Sequence, residues 1–261
     1  MTAITTQPRL VAFDLDDTLA ASKSPLSPAM AQRLLALLDV VPVCIISGGQ
    51  FGQFSTQVVE RLADASPAAL ERLHLMPTCG TQYFRFADGA WTKVYAQDLS
   101  DDEKTRALTA VEQEAKRLGY WEEQTWGAIL EDRGSQITFS ALGQQAPVDA
   151  KAAWDPTGEK KSALRAAVQE LLPDLEVRSG GSTSVDITRR GIDKAYGIGR
   201  LSELTGIRLT EMLFIGDRLD PDGNDYPVLA MGVPTLAVSG WEHTIEVLDE
   251  LIPRLAAATA G

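Results

Sequence analysis

Short apolar runs alternate with amphipathic helical patterns at both ends of the chain. Leu10 to Phe13 and Val40 to Ile46 are runs of the kind that form strands buried on both faces of a sheet. Between them, Ser27-Pro28 predicts a helix start, since serine caps helices and proline is tolerated in their first turn. Further segments continue the alternation, with helices predicted at 51–62, 193–204 and 242–258 and strands at 212–215 and 235–238. This order predicts a parallel sheet covered by helices.

The pattern changes between residues 83 and 188. A hairpin is predicted around Asp88-Gly89, because both flanking segments alternate apolar and polar residues. The other predicted elements are helices at 101–118 and 160–172 and strands at 136–140, 176–179 and 184–187. The fold class predicted is therefore α/β, a Rossmann-like parallel-sheet core at 1–82 and 189–261 with an inserted α+β module at 83–188. His74 is expected in helical surroundings, with a structural role.

Composition and charge exclude several functions. The formal net charge of -12 disfavours nucleic acids and anionic membranes as partners, because both are bound through lysine and arginine. No segment approaches the roughly 20 apolar residues of a spanning helix, and MTAITTQPRL does not resemble a secretion signal. Cys44 and Cys79 are the only cysteines, and no disulfide is expected between them. A cytoplasmic location is the expectation.

Polar side chains follow three of the predicted strands. Asp14 and Asp16 follow the first strand, Ser47 the second, and Asp217 the strand at 212–215. Ligands bind beyond the carboxyl ends of the strands in open parallel sheets, so these side chains are expected to converge. Neighbouring carboxylates repel unless a cation lies between them, and Mg²⁺ suits a site that also holds a phosphate.

The spacing within this group suggests phosphoryl transfer. Asp14 and Asp16 stand two residues apart, which directs both side chains to one side of a strand end. One carboxylate is then able to attack phosphorus, forming an aspartyl-phosphate, while the other handles a proton. Lys194, which precedes a predicted helix, is placed to reach a phosphate or the nucleophile.

Four motifs resemble those of the haloacid dehalogenase-like hydrolases and occur in the same order. They are FDLDDTLA at residues 13–20, Ser47-Gly48, Lys194, and GDRLDPDGND at residues 216–225. The position of the inserted module, between the second and third motifs, resembles the type IIB cap of Cof-like sugar phosphatases and eukaryotic-type phosphomannomutases. ISGG, RGIDK and the lengthened fourth motif are most similar to the phosphomannomutase branch.

The resemblance implies a magnesium site and an acid/base residue. Asp14 would be both nucleophile and metal ligand, and Asp217 a further ligand. Asp16 would be the general acid/base, with its backbone carbonyl on Mg²⁺. Asp225 would order the metal loop and is assigned to the metal site.

The same resemblance implies a site for the transferring phosphoryl group. Ser47, the amide of Gly48 and Lys194 would bind this group. Asn224, on the loop that carries Asp225, is assigned to phosphate binding. The implied substrate is a small phosphorylated molecule.

Substrate-binding residues in the inserted module are predicted at Arg133, Gln144, Ser184 and Asp186. The phosphomannomutase pattern carries several arginines in this region that hold the non-reacting phosphate. Here Gln144 and Lys151 stand where two of those arginines are expected. Replacing arginine by neutral glutamine removes a bidentate cation, which puts a strong second phosphate site in doubt. The alternative is that all these positions are ordinary surface residues of a sheet.

Three functions follow from these observations. The favoured one is a Mg²⁺-dependent phosphatase acting on a sugar phosphate or similar small metabolite. The first alternative is a phosphomannomutase, which would return the phosphoryl group to the sugar. The second is a phospho-accepting switch without turnover, although a switch needs no module to enclose a substrate. The phosphomannomutase resemblance also implies homodimers formed through the inserted module.

Overall fold

The computed structural model describes residues 7–181 and 183–259 and contains two compact units. One comprises the chain up to Tyr95 together with the chain from Asp193 onward, and the other is Ala96–Ile192. The described residues form eleven strands: β1 Leu10–Phe13, β2 Val43–Ile46, β3 Leu73–Met76, β4 Gln82–Ala87, β5 Ala90–Ala96, β6 Leu130–Asp132, β7 Gln136–Ser140, β8 Leu175–Ser179, β9 Ser184–Arg189, β10 Met212–Gly216 and β11 Thr235–Ala237.

Nine α-helices occur in the same described residues. They are α1 Pro28–Val40, α2 Phe51–Gln57, α3 Pro67–Leu70, α4 Asp101–Arg117, α5 Val148–Trp154, α6 Glu159–Leu171, α7 Lys194–Thr205, α8 Tyr226–Ala230 and α9 Trp241–Thr259. The predicted start of α1 is confirmed, because Oγ of Ser27 accepts a hydrogen bond from the amide of Met30 at 3.1 Å. None of these helices is long and apolar enough to cross a membrane.

The first unit is built on a seven-stranded sheet in the order β11-β10-β1-β2-β3-β4-β5. Strands β11, β10, β1, β2 and β3 run parallel to one another, and β4 is antiparallel to β3. Residues of β1, β2 and β10 are almost fully buried, since helices cover both faces of a parallel sheet. The predicted α/β class with a mostly parallel core sheet is confirmed.

Two sequence-based expectations for this unit were wrong. His74 lies on β3 and not in a helix. The prediction failed because an apolar segment as short as Leu73–Met76 shows no periodicity that distinguishes a strand from a helix. The hairpin β4–β5, expected in the inserted module, extends the core sheet instead. The ring of Phe84 in β4 stacks on Phe51 of α2, with centroids 3.8 Å apart. Alternation predicts a hairpin but does not tell which sheet it joins.

The second unit is a four-stranded antiparallel sheet in the order β6-β7-β9-β8. Helices α4 and α6 contact each other and pack on one face of this sheet. Ile137 and Phe139 of β7 and Val185 and Ile187 of β9 are fully buried in that packing. Alternate residues of the same strands are polar and lie on the opposite face, since successive side chains point to opposite sides. The α+β composition predicted for this segment matches the observed elements.

Candidate active site

The carboxyl ends of three neighbouring strands carry the predicted polar residues. Strand β1 lies between β2 and β10, and Phe13 is in register with Ile45 on one side and Ile215 on the other. Asp14 follows β1, and its amide donates to the carbonyl of Ile215 at 3.1 Å. Ser47 and Asp217 follow β2 and β10 directly. The expected convergence at one sheet edge is therefore observed.

Lys194 joins two of the carboxylates in the interior of the unit. Its Nζ lies 2.7 Å from Oδ1 of Asp14 and 2.6 Å from Oδ1 of Asp225. All three side chains are almost completely buried. Helix α7 begins at Lys194, capped by Asp193, whose carboxylate accepts from the amide of Tyr196 at 2.9 Å. The cap holds the first turn of α7, and thereby the base of the lysine side chain, at the strand ends.

Burial and charge oppose each other within this group. Burial raises the pKa of Asp14, and the positive charge of Lys194 offsets part of the rise. Burial lowers the pKa of Lys194, but the negative charges of Asp14 and Asp225 raise it by more. The pKa of Lys194 therefore lies above its usual value. Further positive charge here would lower the pKa of Asp14 and favour the nucleophilic carboxylate.

Asp14, Asp217 and Asp225 form a candidate cation site. Each offers one carboxylate oxygen, and these oxygens lie within 4.8 Å of one another. The set contains only hard oxygen donors, which Mg²⁺ and Ca²⁺ prefer, and no soft ligand that would select another metal. The donor chemistry therefore fits the divalent cation that the sequence predicts.

Thr18 holds Asp217 in this cluster and was missed in the sequence. Its hydroxyl donates to Oδ1 of Asp217 at 2.9 Å and accepts from the amide of Asp217 at 3.0 Å. Thr18 is completely buried, so this bonding satisfies a hydroxyl that would otherwise be costly. The available signal was its place inside the FDLDDTLA motif.

Asp225 is fixed by the backbone of its own loop. Its Oδ2 accepts from the amide of Arg218 at 3.1 Å, and its amide donates to the carbonyl of Arg218 at the same distance. A Cβ at Gly223 would overlap with that carbonyl, so only glycine fits this turn. Asn224, between these two residues, is exposed.

Ser47 lies in a loop that contacts the segment Thr78–Gly80, named here the left-handed segment because its three residues have φ values of 49°, 54° and 84°. The amide of Cys79 donates to the carbonyl of Ser47 at 2.9 Å, and the amide of Thr78 donates to the carbonyl of Gly49 at 2.9 Å. Oγ of Ser47 accepts from the amide of Gly49 at 3.2 Å. These bonds fix the Ser47–Gly49 loop, which includes Gly48.

The left-handed segment also touches α7. A Cβ on Gly80 would overlap with Cα of Gly197, and a Cβ on Gly197 would lie 2.6 Å from the carbonyl oxygen of Cys79. Two glycines therefore allow backbone-to-backbone packing that no larger residue permits. The loop of Ser47 and the helix of Lys194 are linked through this contact.

Sequence comparisons find several proteins that are similar to this chain. The family model described as haloacid dehalogenase-like hydrolase matches residues 144–231. Phosphomannomutase from Spinacia oleracea is 24% identical over 239 residues, covering 86% of this chain and 88% of its own length. Probable phosphomannomutase from Caenorhabditis elegans is 23% identical over 245 residues, covering 88% and 89%.

Solved structures show the same fold. N-terminal truncated IMP-nucleotidase from Plasmodium falciparum has a TM-score of 0.70 and 16% identity, over 95% of this chain and 71% of that one. A haloacid dehalogenase-like hydrolase from Bacteroides thetaiotaomicron has a TM-score of 0.62 and 15% identity, over 94% and 100%. In sequence and in fold, the chain is similar to haloacid dehalogenase-like hydrolases and to phosphomannomutases. The resemblance seen in its four motifs is thereby confirmed, and the chain is an enzyme.

Asp16 of this enzyme is turned toward α2. Among the described residues, the carboxylate cluster comprises Asp14, Asp217 and Asp225, and the side chain of Asp16 is held elsewhere. Oδ2 of Asp16 accepts from Nε2 of Gln53 at 2.9 Å. The carboxylate of Asp16 is therefore not one of the clustered metal-ligating groups, and its role as general acid/base stays a prediction. The predicted contact of its backbone carbonyl with a metal stays a prediction.

The predicted substrate residues of the second unit lie on or beside its polar sheet face. Oδ1 of Asp186 accepts from the hydroxyl of Thr138, directly across from it, at 2.7 Å. Ser184 is in register with Ser140, whose Oγ accepts from Nε2 of Gln144 at 2.7 Å. These side chains form a hydrogen-bonded polar group on that face of the second unit, in which Thr138 and Ser140 are almost completely buried.

Arg133 forms an ion pair beside the same face. Its guanidinium lies 2.8 Å from Oε2 of Glu131, and both side chains are largely buried. The carbonyl of Gln144 accepts from Nζ of Lys151 at 3.0 Å. Glu131 was not anticipated from the sequence, and it offsets the positive charge that Arg133 would present to an anion.

Proposed function

We propose that the enzyme is a Mg²⁺-dependent phosphatase that hydrolyses a sugar phosphate or similar small phosphorylated metabolite through an aspartyl-phosphate. The observation that carries the proposal is the buried Lys194, which bridges Asp14 and Asp225 beside Asp217. A lysine there supplies fixed positive charge for a phosphoryl group, and the nucleophilic carboxylate lies within hydrogen-bond distance of it.

In this mechanism the chain's own residues position and neutralise the transferring group. Lys194, Ser47 and the amide of Gly48 bind the phosphoryl oxygens, and the carboxylate of Asp14 attacks phosphorus. Asp14, Asp217 and Asp225 would hold Mg²⁺, with the backbone carbonyl of Asp16 as a further ligand; the cation supplies charge neutralisation to the phosphoryl oxygens. Asn224 is assigned to phosphate binding from its place beside Asp225.

Asp16 carries the protons in both half-reactions. As the bond between phosphorus and the leaving oxygen breaks, Asp16 gives that oxygen a proton and the alcohol departs. The Asp16 carboxylate then takes a proton from water, whose oxygen attacks phosphorus and breaks its bond to Asp14. Inorganic phosphate leaves, and both carboxyl groups return to their starting forms.

The second unit, Ala96–Ile192, is assigned to substrate recognition as the cap of the enzyme. Ser184 and Asp186 offer hydrogen-bond acceptors for sugar hydroxyls, and Arg133 and Gln144 offer donors. The ion pair of Arg133 with Glu131 supports a phosphatase over a mutase, because a mutase must bind a bisphosphate intermediate strongly. Homodimers through this unit and a cytoplasmic location are part of the same proposal.

The deciding experiment measures two products in parallel. The enzyme is incubated with Mg²⁺ and a panel of phosphorylated metabolites that includes mannose 1-phosphate, and both free phosphate and mannose 6-phosphate are quantified. Phosphate release without isomerisation supports the phosphatase, and isomerisation supports the phosphomannomutase. A phospho-enzyme that never hydrolyses would support the switch.

The nucleophile is tested in the same assay. Asp14→Asn should abolish turnover, since an amide is a poor nucleophile toward phosphorus. Asp39→Asn changes the same group on the surface of α1 and should leave the rate unchanged. Full activity in the Asp14 variant would exclude the proposed mechanism.

A further inference from the structure

The carboxylate of Asp16 accepts three N–H donors, and they divide unequally between its two oxygens. Oδ1 accepts from the amide of Lys23 at 2.7 Å and from Nε2 of Gln57 at 3.3 Å. Oδ2 accepts from Nε2 of Gln53 at 2.9 Å, the one donor to this atom among the described residues. A carboxylate oxygen accepts about two hydrogen bonds, so Oδ1 is filled and Oδ2 retains room for a further partner.

Gln57 and Gln53 differ in how firmly the fold holds them. Nε2 of Gln57 also donates to the carbonyl of Ser24 at 2.6 Å, and its side chain is almost completely buried. Gln57 therefore anchors Oδ1 together with the loop that carries Lys23. Gln53 is only partly buried, and its side-chain amide is oriented toward Asp16.

Gly49 lies against the side-chain amide of Gln53. A Cβ on Gly49 would overlap with Oε1 of Gln53 and lie 2.7 Å from its amide carbon. The absence of a side chain at Gly49 thus leaves room for the amide, with Oε1 against the glycine and Nε2 toward Asp16. Gly49 belongs to the same loop as Ser47, so the contact relates Asp16 to the predicted phosphate-binding loop.

From this geometry we propose that Gln53 is the positioning residue of Asp16, directing Oδ2 as the atom that exchanges protons in the reaction. The inference rests on the proposed phosphatase mechanism, and it specifies which oxygen of Asp16 transfers the proton. With Oδ1 filled by Gln57 and Lys23, the leaving oxygen takes its proton from Oδ2, and water later returns a proton to Oδ2. Gln53 itself touches neither substrate nor phosphorus and acts through Asp16.

The test compares two substrates that differ in their need for a proton. The leaving group of 4-nitrophenyl phosphate, 4-nitrophenolate, is stable as an anion. The leaving group of a hexose 6-phosphate is a sugar alkoxide, whose oxygen must be protonated as it departs. Gln53→Met keeps the length of the side chain and removes its donor. The Mg²⁺-loaded variant is mixed with each substrate, with nitrophenolate or sugar release followed during the first turnover and phosphate release followed afterwards.

Gln53→Met is expected to slow some phases of the reaction and not others. The first nitrophenolate should appear within about twofold of the wild-type rate, while later phosphate release falls by about tenfold because water still needs Asp16. With the hexose phosphate the first turnover itself should slow by about tenfold. Gln50→Met makes the same change at an exposed position of the same chain segment and should have no effect.

Two results would overturn the proposal, provided that Gln53→Met unfolds at the wild-type temperature. They are an equal loss of rate in every phase, and rates that are unchanged in Gln53→Met. If the wild-type enzyme releases neither nitrophenolate nor phosphate, the proposed phosphatase fails first and this inference with it. If the wild-type enzyme turns over but Gln53→Met slows every phase equally, only the proposed role of Gln53 is excluded, and the phosphatase mechanism stands.

Discussion

Lys194 and Asp14 approach within 2.7 Å although they come from distant parts of the chain, and both are buried. The lysine pairs with Asp225 as well, so one ammonium balances two carboxylates. Lys194→Met should lower the free energy of unfolding by about 3–5 kcal/mol, because it leaves two carboxylates buried without their cation.

Chemical denaturation in the presence of a chelator measures this loss. Lys93→Met, on the exposed edge strand β5, provides the control and should change stability by less than about 0.5 kcal/mol. Adding Mg²⁺ should restore part of the stability of Lys194→Met, because a divalent cation also neutralises the carboxylates. A loss as small as that of Lys93→Met would contradict a buried, charged pair.

Magnesium should bind the folded protein and stabilise it through the carboxylate cluster. The wild-type melting temperature is expected to rise with Mg²⁺ concentration, because a ligand that binds only the folded state stabilises it. Asp217→Asn should weaken this dependence strongly, since it removes one of three charged ligands. Asp220→Asn, on the same loop but exposed, should retain it. Equal magnesium dependence in both variants would rule out Asp217 as a ligand.

Acid should destabilise the core unit through His74. Burial, and secondarily the charge of Arg85, lower the pKa of His74 to about 3. In the unfolded chain His74 takes up a proton near pH 6.5, whereas in the folded chain it stays neutral down to about pH 3. The free energy of unfolding therefore falls as the pH drops from about 6.5 toward 3. The slope contributed by His74 approaches about 1.4 kcal/mol per pH unit.

Denaturation at a series of pH values measures this contribution. His74→Gln keeps a polar group near the hydroxyl of Tyr83, to which Nδ1 of His74 is hydrogen-bonded at 2.8 Å, and should flatten the profile between pH 6.5 and 4. His243→Gln, with its partly exposed side chain on α9, is the matched control and should leave the slope unchanged. A profile of His74→Gln that overlays the wild type would refute the assignment.

The left-handed segment offers a route to greater stability. Cys79 has a φ of 54°, a conformation that costs most side chains about 1 kcal/mol and that asparagine tolerates better. Cys79→Asn should therefore stabilise the protein by up to about 1 kcal/mol, measured as a higher melting temperature. Cys79→Ala retains the conformational cost and should not stabilise. Stabilisation by alanine and not by asparagine would point to a cause other than backbone strain.

Much of the core was predictable because it depends on short-range pattern. The apolar runs ending at Phe13 and Ile46 identify buried parallel strands, and a parallel sheet brings their carboxyl ends together whatever separates them in sequence. The placement of Asp14, Ser47, Asp217 and Lys194 followed from that rule and from the motifs.

The remaining features depend on contacts that no local pattern encodes. Gln53 and Gln57 sit one helical turn apart, and only the fold brings them to Asp16. Strand β3 is short, and the partner of the β4–β5 hairpin depends on the stacking of Phe84 on Phe51. The ion pair of Arg133 with Glu131 joins residues of an ordinary-looking strand end. Each of these features depends on contacts between elements of the folded chain, and the local sequence is compatible with more than one such contact.

The glycine pair Gly80 and Gly197 limits how the enzyme can be re-engineered. Even a single methyl group at either position would push the helix of Lys194 away from the loop of Ser47, and these two predicted phosphoryl-binding residues would lose alignment together. Libraries that aim to change the substrate should therefore leave these two positions fixed and vary the residues proposed to bind it in the second unit, which belong to a different sheet.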